Sequence, residues 1–192
     1  MKESHWIHLC IDMQRMFAED TPWHVPWMRD VSPQVQEIAL RHPQRTVFTR
    51  FVPPQRAEAM PGMWRSYYEK WDTMTMDQLG PDMVDLVPSL NVLVPPARIF
   101  DKMTYSPWTT GKLHHVLAGE GVKTLAISGG ETDVCVLAAA LGAIDLGYRV
   151  ILLKDAVCSG ADDTHDASLE LLGDRFSVQL EILSTEDFLN RI

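Results

Sequence analysis

The chain has 192 residues, 46% hydrophobic and 22% charged, enough apolar material for one domain with a sizeable core and too much for a disordered or fibrous chain. Lysine and arginine number 17 against 26 aspartates and glutamates, a formal charge of −9. No basic run interrupts that balance to serve as a nucleic-acid footprint or a membrane-surface anchor, and no stretch of about eighteen apolar residues could span a bilayer.

In chain order, short apolar runs alternate with helical patterns. Trp6–Ile11 reads as a first strand, and Ser32-Pro33, a cap followed by proline, opens a predicted helix to about Arg41. Arg45–Arg50 is a second strand. Residues 52–97 then break the alternation with Pro53-Pro54, Pro61-Gly62, Trp64, Tyr67-Tyr68, Trp71 and Pro95-Pro96. Two short helices are expected there, near 63–71 and 81–87, inside a lid, a binding loop or an oligomer contact. Arg98–Asp101 is a short third strand. Leu113, Val116 and Leu117 give one apolar face to a helix between Gly111 and Glu120. Lys123–Ser128 is a fourth strand, followed by an alanine-rich helix from Asp133 to Leu146 that stops at Gly147. Val150–Leu153 and Ser177–Leu183 are the last strands, separated by a helix over Asp162–Leu172, and Thr185–Arg191 closes the chain. Strands this continuously apolar are covered on both faces. The pattern predicts one α/β domain over residues 1–192, three layers deep (α/β/α), with a mainly parallel, Rossmann-like sheet of about six strands.

Ligands of such sheets bind beyond the carboxyl ends of the strands. Asp12 follows the first strand directly, placed as a base, although aspartate there also forms turns and caps. Gly129-Gly130-Glu131-Thr132-Asp133-Val134-Cys135 ends the fourth strand and opens a helix. Cys135 in the first turn is near unpaired N–H groups and a dipole that favour a thiolate, so it reads either as a nucleophile or as a small core residue. Lys102 follows the third strand and by itself reads as a surface lysine.

Three fragments become informative together: Asp12-Met-Gln14-x-x-Phe17, Lys102-x-x-Tyr105-Ser106 and Gly130-Glu-Thr132-Asp-Val-Cys135-Val136. In that order, with Asp145-Leu-Gly147-Tyr-Arg-Val and Asp155-Ala156 downstream, they resemble the isochorismatase-like cysteine hydrolases over residues 6 to 185. The resemblance implies a triad of Cys135, Asp12 and Lys102. It also implies a cis peptide at Gly130–Glu131, turning the Glu131 N–H toward an oxyanion beside the Cys135 N–H. The nicotinamidase branch of that family carries an Asp-x-His metal motif after the second strand. Here the place reads Thr49-Arg50-Phe51-Val52-Pro53-Pro54, which supplies no such ligands, so no metal and no cofactor is expected. Isochorismatases proper lack the cysteine. The expected activity is metal-independent hydrolysis of a C–N bond in a small amide, ureido or carbamoyl substrate through a thioester. The rival readings are a binding or regulatory protein on the same scaffold, and ester or vinyl-ether hydrolysis.

Phe17, Trp23, Trp64, Tyr105 and Trp108 are the candidate pocket walls, each with core packing as the alternative. His114-His115 reads as a solvated or packing pair, His165 as a surface residue, Cys10 as buried in the central strand, and Cys158 as a packing residue near the pocket edge. Met1 to Ile11 lacks the apolar stretch of a signal peptide, and three cysteines are too few for a disulfide framework, so a reduced cytoplasmic protein is expected. The expected partners are a small-molecule substrate and further copies of the chain, with neither nucleic acid nor membrane. Residues 61–71 carry four large aromatics that are costly to leave in water, which points to a homo-oligomer, dimer or tetramer, packed through that segment.

Overall fold

Burial along the first strand sets the layout. In the computed structural model, which describes residues 5–192, β1 (Trp6–Ile11) is buried throughout. Trp6 and Cys10 join one hydrophobic cluster; Ile7, Leu9 and Ile11 join another. Side chains alternate across a strand, so the clusters occupy opposite faces and β1 runs between them. The other strands are β2 (Thr46–Phe51), β3 (Arg98–Lys102), β4 (Thr124–Gly130), β5 (Arg149–Cys158) and β6 (Leu180–Leu183). Their order is β3-β2-β1-β4-β5-β6 and every neighbouring pair is parallel. The first cluster is covered by the helices Met28–Arg41 and Thr185–Leu189. The second is covered by Lys112–Gly119, Leu137–Asp145 and Asp162–Arg175, completing three layers. The chain winds outward from β1 to β3, then returns to lay β4 against β1 on its other side. That reversal opens a crevice at the carboxyl ends of β1 and β4.

Several element boundaries differ from expectation, each for a local reason. The helix predicted from Ser32 starts at Met28 and carries Pro33 inside it. Buried Met28 and Val35, seven residues apart on one face, hold the first turns against the sheet despite the missing proline N–H. β5 continues to Cys158, with a register shift against β4 between Ile127 and Gly129. Within that irregular stretch, Asp155 Oδ1 turns to accept from Thr185 N (2.8 Å) and Thr185 Oγ1 (3.0 Å), tying β5 to the last helix. The long helix expected from Asp133 begins as a π-helical turn, Thr132–Val136, and becomes α-helical over Leu137–Asp145.

The excursion between β2 and β3 holds the helix Met63–Lys70 and a 3₁₀ turn at Pro81–Val84. One buried side chain fixes it to the sheet. Gln14 Oε1 accepts from Phe51 N (2.6 Å), while its Nε2 donates to Phe51 O (3.0 Å) and to Val84 O (2.7 Å). The aromatics of 61–71 find their cover within their own chain: Tyr68 is fully buried, and Trp64, Tyr67 and Trp71 pack against Trp23, Phe51 and Tyr105. Trp64, Tyr67 and Trp71 nonetheless stay half-buried.

Candidate active site

The crevice gathers the ends of three strands. Asp12, directly after β1, is buried and has φ of +49°, a left-handed conformation seldom held by a residue other than glycine. Thr49 of β2 holds it there: its Oγ1 accepts from Asp12 N (3.2 Å) and donates to Asp12 Oδ1 (2.5 Å). Lys102 is the last residue of β3, and its Nζ donates to Asp12 Oδ2 (2.7 Å), Thr104 O (3.1 Å) and Cys135 Sγ (3.6 Å). Cys135 lies in the π-helical turn after β4. The turn can approach β1 closely because Gly129 has φ of +103°, and a Cβ there would stand 2.0 Å from Ile11 O. The Gly130–Glu131 peptide is cis. Asp12, Lys102 and Cys135, far apart in sequence, thus meet in one buried cluster.

Burial raises the Cys135 thiol far above the usual range, the Asp12 carboxylate raises it further, and the Lys102 ammonium only partly offsets both. A lost hydration shell and an adjacent anion thus oppose the thiolate that a helix N-terminus favours. Burial also opposes the Lys102 charge, but Asp12 and Cys135 beside it prevail and keep its pKa above that of a free lysine. The arrangement is an ammonium bridging a carboxylate and a thiol in one buried cluster.

In front of Cys135 lies a cavity of about 330 Å³. Phe17, Trp23 and Tyr105 line it as expected from sequence, together with Phe51, Tyr67 and Trp71, which that reading did not assign to the pocket. Their signal was present but misdirected: Phe51 stood out only for the missing metal motif, and Tyr67 and Trp71 only as an oligomer contact. Two candidates do not reach the cavity. Trp64 stands one layer outside, against Tyr105 (ring centroids 4.9 Å apart), on an outer groove with Met63 and Ser66. Trp108 belongs to the core of the opposite face, where its Nε1 donates to Ala139 O (2.8 Å) and its ring stacks on Tyr148.

His165 is buried rather than on the surface. Its Nδ1 pairs with Thr132 Oγ1 (2.9 Å), Thr132 Oγ1 donates to Cys158 O (3.1 Å), and the ring meets Trp27 edge-on. His165 and Trp27 thus brace the turn that carries Cys135. Cys158 and Cys10 are buried packing residues, and His114 pairs with the Tyr148 hydroxyl (2.9 Å).

The residues present do not suit a metal at the end of β2. Arg50 fills that place, its guanidinium held by both oxygens of Asp101 (2.7 and 2.9 Å) and by Asp85 (3.0 Å). A cation already occupies the carboxylates that a metal would need. Among the described residues, no group of three or more histidine, cysteine, aspartate or glutamate side chains could hold an ion. No helix of the described residues is long and apolar enough to cross a membrane.

A family model described as the isochorismatase domain matches residues 7–186. The chain belongs to the isochorismatase family. Its fold is shared with solved structures over nearly the whole chain. It is similar to a cysteine hydrolase from Pseudomonas syringae pv. phaseolicola (TM-score 0.85, 23% identity, covering 100% of this chain and 93% of that one). The N-carbamoylsarcosine amidase from Thermoplasma acidophilum superposes with a TM-score of 0.76 at 16% identity, covering 94% and 96% of the two chains. Isochorismatase family protein 1A of Dictyostelium discoideum is 38% identical over 74 residues, a match spanning 38% of this chain and only 36% of that relative.

Proposed function

We propose that this isochorismatase-family protein hydrolyses a C–N bond in a small amide, ureido or carbamoyl substrate through a thioester on Cys135, without a metal. The observation that carries the reading is the position of Lys102 Nζ, 2.7 Å from Asp12 Oδ2 and 3.6 Å from Cys135 Sγ in a buried cluster. Neither a binding scaffold nor a packing cysteine requires that three-way contact.

In the first half-reaction Cys135 sulfur attacks the carbonyl carbon while its proton passes to Asp12. The tetrahedral oxyanion is held by the Glu131 and Cys135 N–H groups. Asp12 returns the proton to the departing nitrogen as the C–N bond breaks, leaving the acyl group on sulfur. Water then attacks the thioester with Asp12 as base, the C–S bond breaks, and the acid or carbamate leaves as the thiol regains its proton. Lys102 keeps the cluster's charge nearly constant throughout.

The test is the Cys135→Ala variant. Ammonia or amine release should fall to background while the urea unfolding midpoint stays close to the parent value. Intact-mass analysis of the parent protein, quenched with a slow substrate, should show one acyl group on Cys135. Turnover surviving in Cys135→Ala would overturn the covalent mechanism, and release of an alcohol without ammonia or amine would move the reading to ester hydrolysis.

A further inference from the structure

The cavity before Cys135 is walled largely by aromatic side chains and offers a substrate no free positive charge. Phe17, Trp23, Phe51, Tyr67, Trp71 and Tyr105 form one continuous shell around it. Trp23 is its hub, 5.9 Å from Phe51 and from Tyr67, and 6.5 Å from Trp71, between ring centroids. No lysine or arginine lines this space. Lys102 lies behind the wall, its Nζ 4.8 Å from the centre of the Phe51 ring, but its charge is matched by Asp12 at 2.7 Å. The titratable side chains on the lining, apart from Cys135 and the tyrosines, are exposed His24 and half-buried Glu131. Glu131 is held on the wall where its Oε1 accepts from Gly160 N (3.3 Å).

These features select by charge. A carboxylate entering the cavity would shed its water, meet the negative faces of aromatic rings and find Glu131 rather than a cation. A primary ammonium would lose hydrogen bonds to water that rings cannot replace. A methylated ammonium has little hydration to lose, and aromatic faces attract it directly. We propose that the substrate is cationic: a small amide whose unreactive end is a methylated ammonium, seated among these rings with Glu131 as its counter-ion. The proposal rests on the hydrolase reading above, since it places the reactive carbonyl at Cys135 and the cation in the cavity.

Three ligands with the same amide end test it. Glycine betaine amide carries a trimethylammonium, tert-butylacetamide replaces it with the uncharged isostere, and malonamate places a carboxylate there. Each is titrated into Cys135→Ala protein at about pH 8, with quenching of the Trp23 and Trp71 indoles as the signal. The cation should bind about tenfold more tightly than its neutral isostere, and malonamate should not saturate the site. Adding Glu131→Gln should shrink the preference for the cation over its isostere several-fold. Equal or tighter binding of the neutral or anionic ligand overturns the proposal, as does no saturable binding of the cation. A preference unchanged by Glu131→Gln removes the counter-ion role and with it the proposal as stated. Turnover is not involved, so the two readings fail separately. A wild-type enzyme that cleaves tert-butylacetamide but does not favour the cation keeps the hydrolase reading alone. A protein that ranks the ligands as expected yet forms no thioester keeps the cavity's preference for a methylated ammonium and loses the hydrolase reading.

Discussion

At the scale of single residues, the buried polar groups define the pH at which the protein stays folded. His8 lies within β1, wholly buried, with Nε2 2.7 Å from Ser128 Oγ and Nδ1 3.3 Å from Thr46 Oγ1. Burial, aided by nearby His42, lowers its pKa to about 3 from an ordinary 6.5. Between those values the unfolded chain takes up a proton that the folded protein refuses, so stability rises with pH across the window and is lost on acidification. The slope is about 1.4 kcal/mol per pH unit, amounting to roughly 4–5 kcal/mol over the whole interval. His8→Asn, which keeps a neutral polar group, should lose that slope. Urea unfolding at about pH 7 and pH 4.5 should show the parent weakening by about 2–3 kcal/mol more than the variant; equal losses would mean that His8 titrates normally. Asp12 and Lys102 are unsuitable for so simple a comparison, because removing either leaves its partner buried without a counter-charge at a cost of about 3–5 kcal/mol.

At the scale of elements, the approach of β4 to β1 depends on Gly129. Its φ of +103° disfavours a side chain, and a Cβ would overlap Ile11 O at 2.0 Å. Gly129→Ala should therefore cost more than about 3 kcal/mol or yield no soluble protein. Gly147 has φ of +85° but open space around it, so Gly147→Ala should cost only about 1–2 kcal/mol in the same urea titration. Similar losses for both would show that backbone conformation, and not contact with β1, governs Gly129. The elements also show what could be read from sequence. Asp12 and Cys135 stood out by their places after strands, where a parallel sheet collects its functional groups, whereas Lys102 read as a surface lysine and joined them only through the family resemblance. The start of the first long helix was not legible, since Pro33 is a strong local signal and the burial of Met28 that outweighs it is a tertiary effect. The aromatic shell was half legible: Phe17, Trp23 and Tyr105 were named from sequence, Phe51, Tyr67 and Trp71 were not. Composition marks Trp23, Phe51, Tyr67, Trp71 and Trp108 alike as large and apolar. Only the folded chain decides that four of them line the cavity before Cys135 while Trp108 lies on the other face of the sheet.

For the molecule as a whole, charge placement decides whether catalysis needs an added ion. Arg50, fixed between Asp85 and Asp101, supplies a permanent cation at the carboxyl end of β2. The proposed reaction draws its own positive charge from Lys102 and its acid and base from Asp12. Dialysis against a chelator should accordingly leave the rate unchanged. A loss restored by zinc, manganese or iron would show that a metal site forms despite the guanidinium.

Gln14 carries a further consequence. Its single amide grips the excursion near its start, at Phe51, and again at Val84, so the helix between those points hangs from the sheet like a replaceable panel. Tyr67 and Trp71 ride on that panel, whereas Asp12, Lys102 and the turn of Cys135 are built into the frame. On the proposed reaction, a lineage could thus exchange the residues that greet a substrate while the reacting groups keep their places, and new substrates would become reachable by drift in one loop instead of by rebuilding the fold.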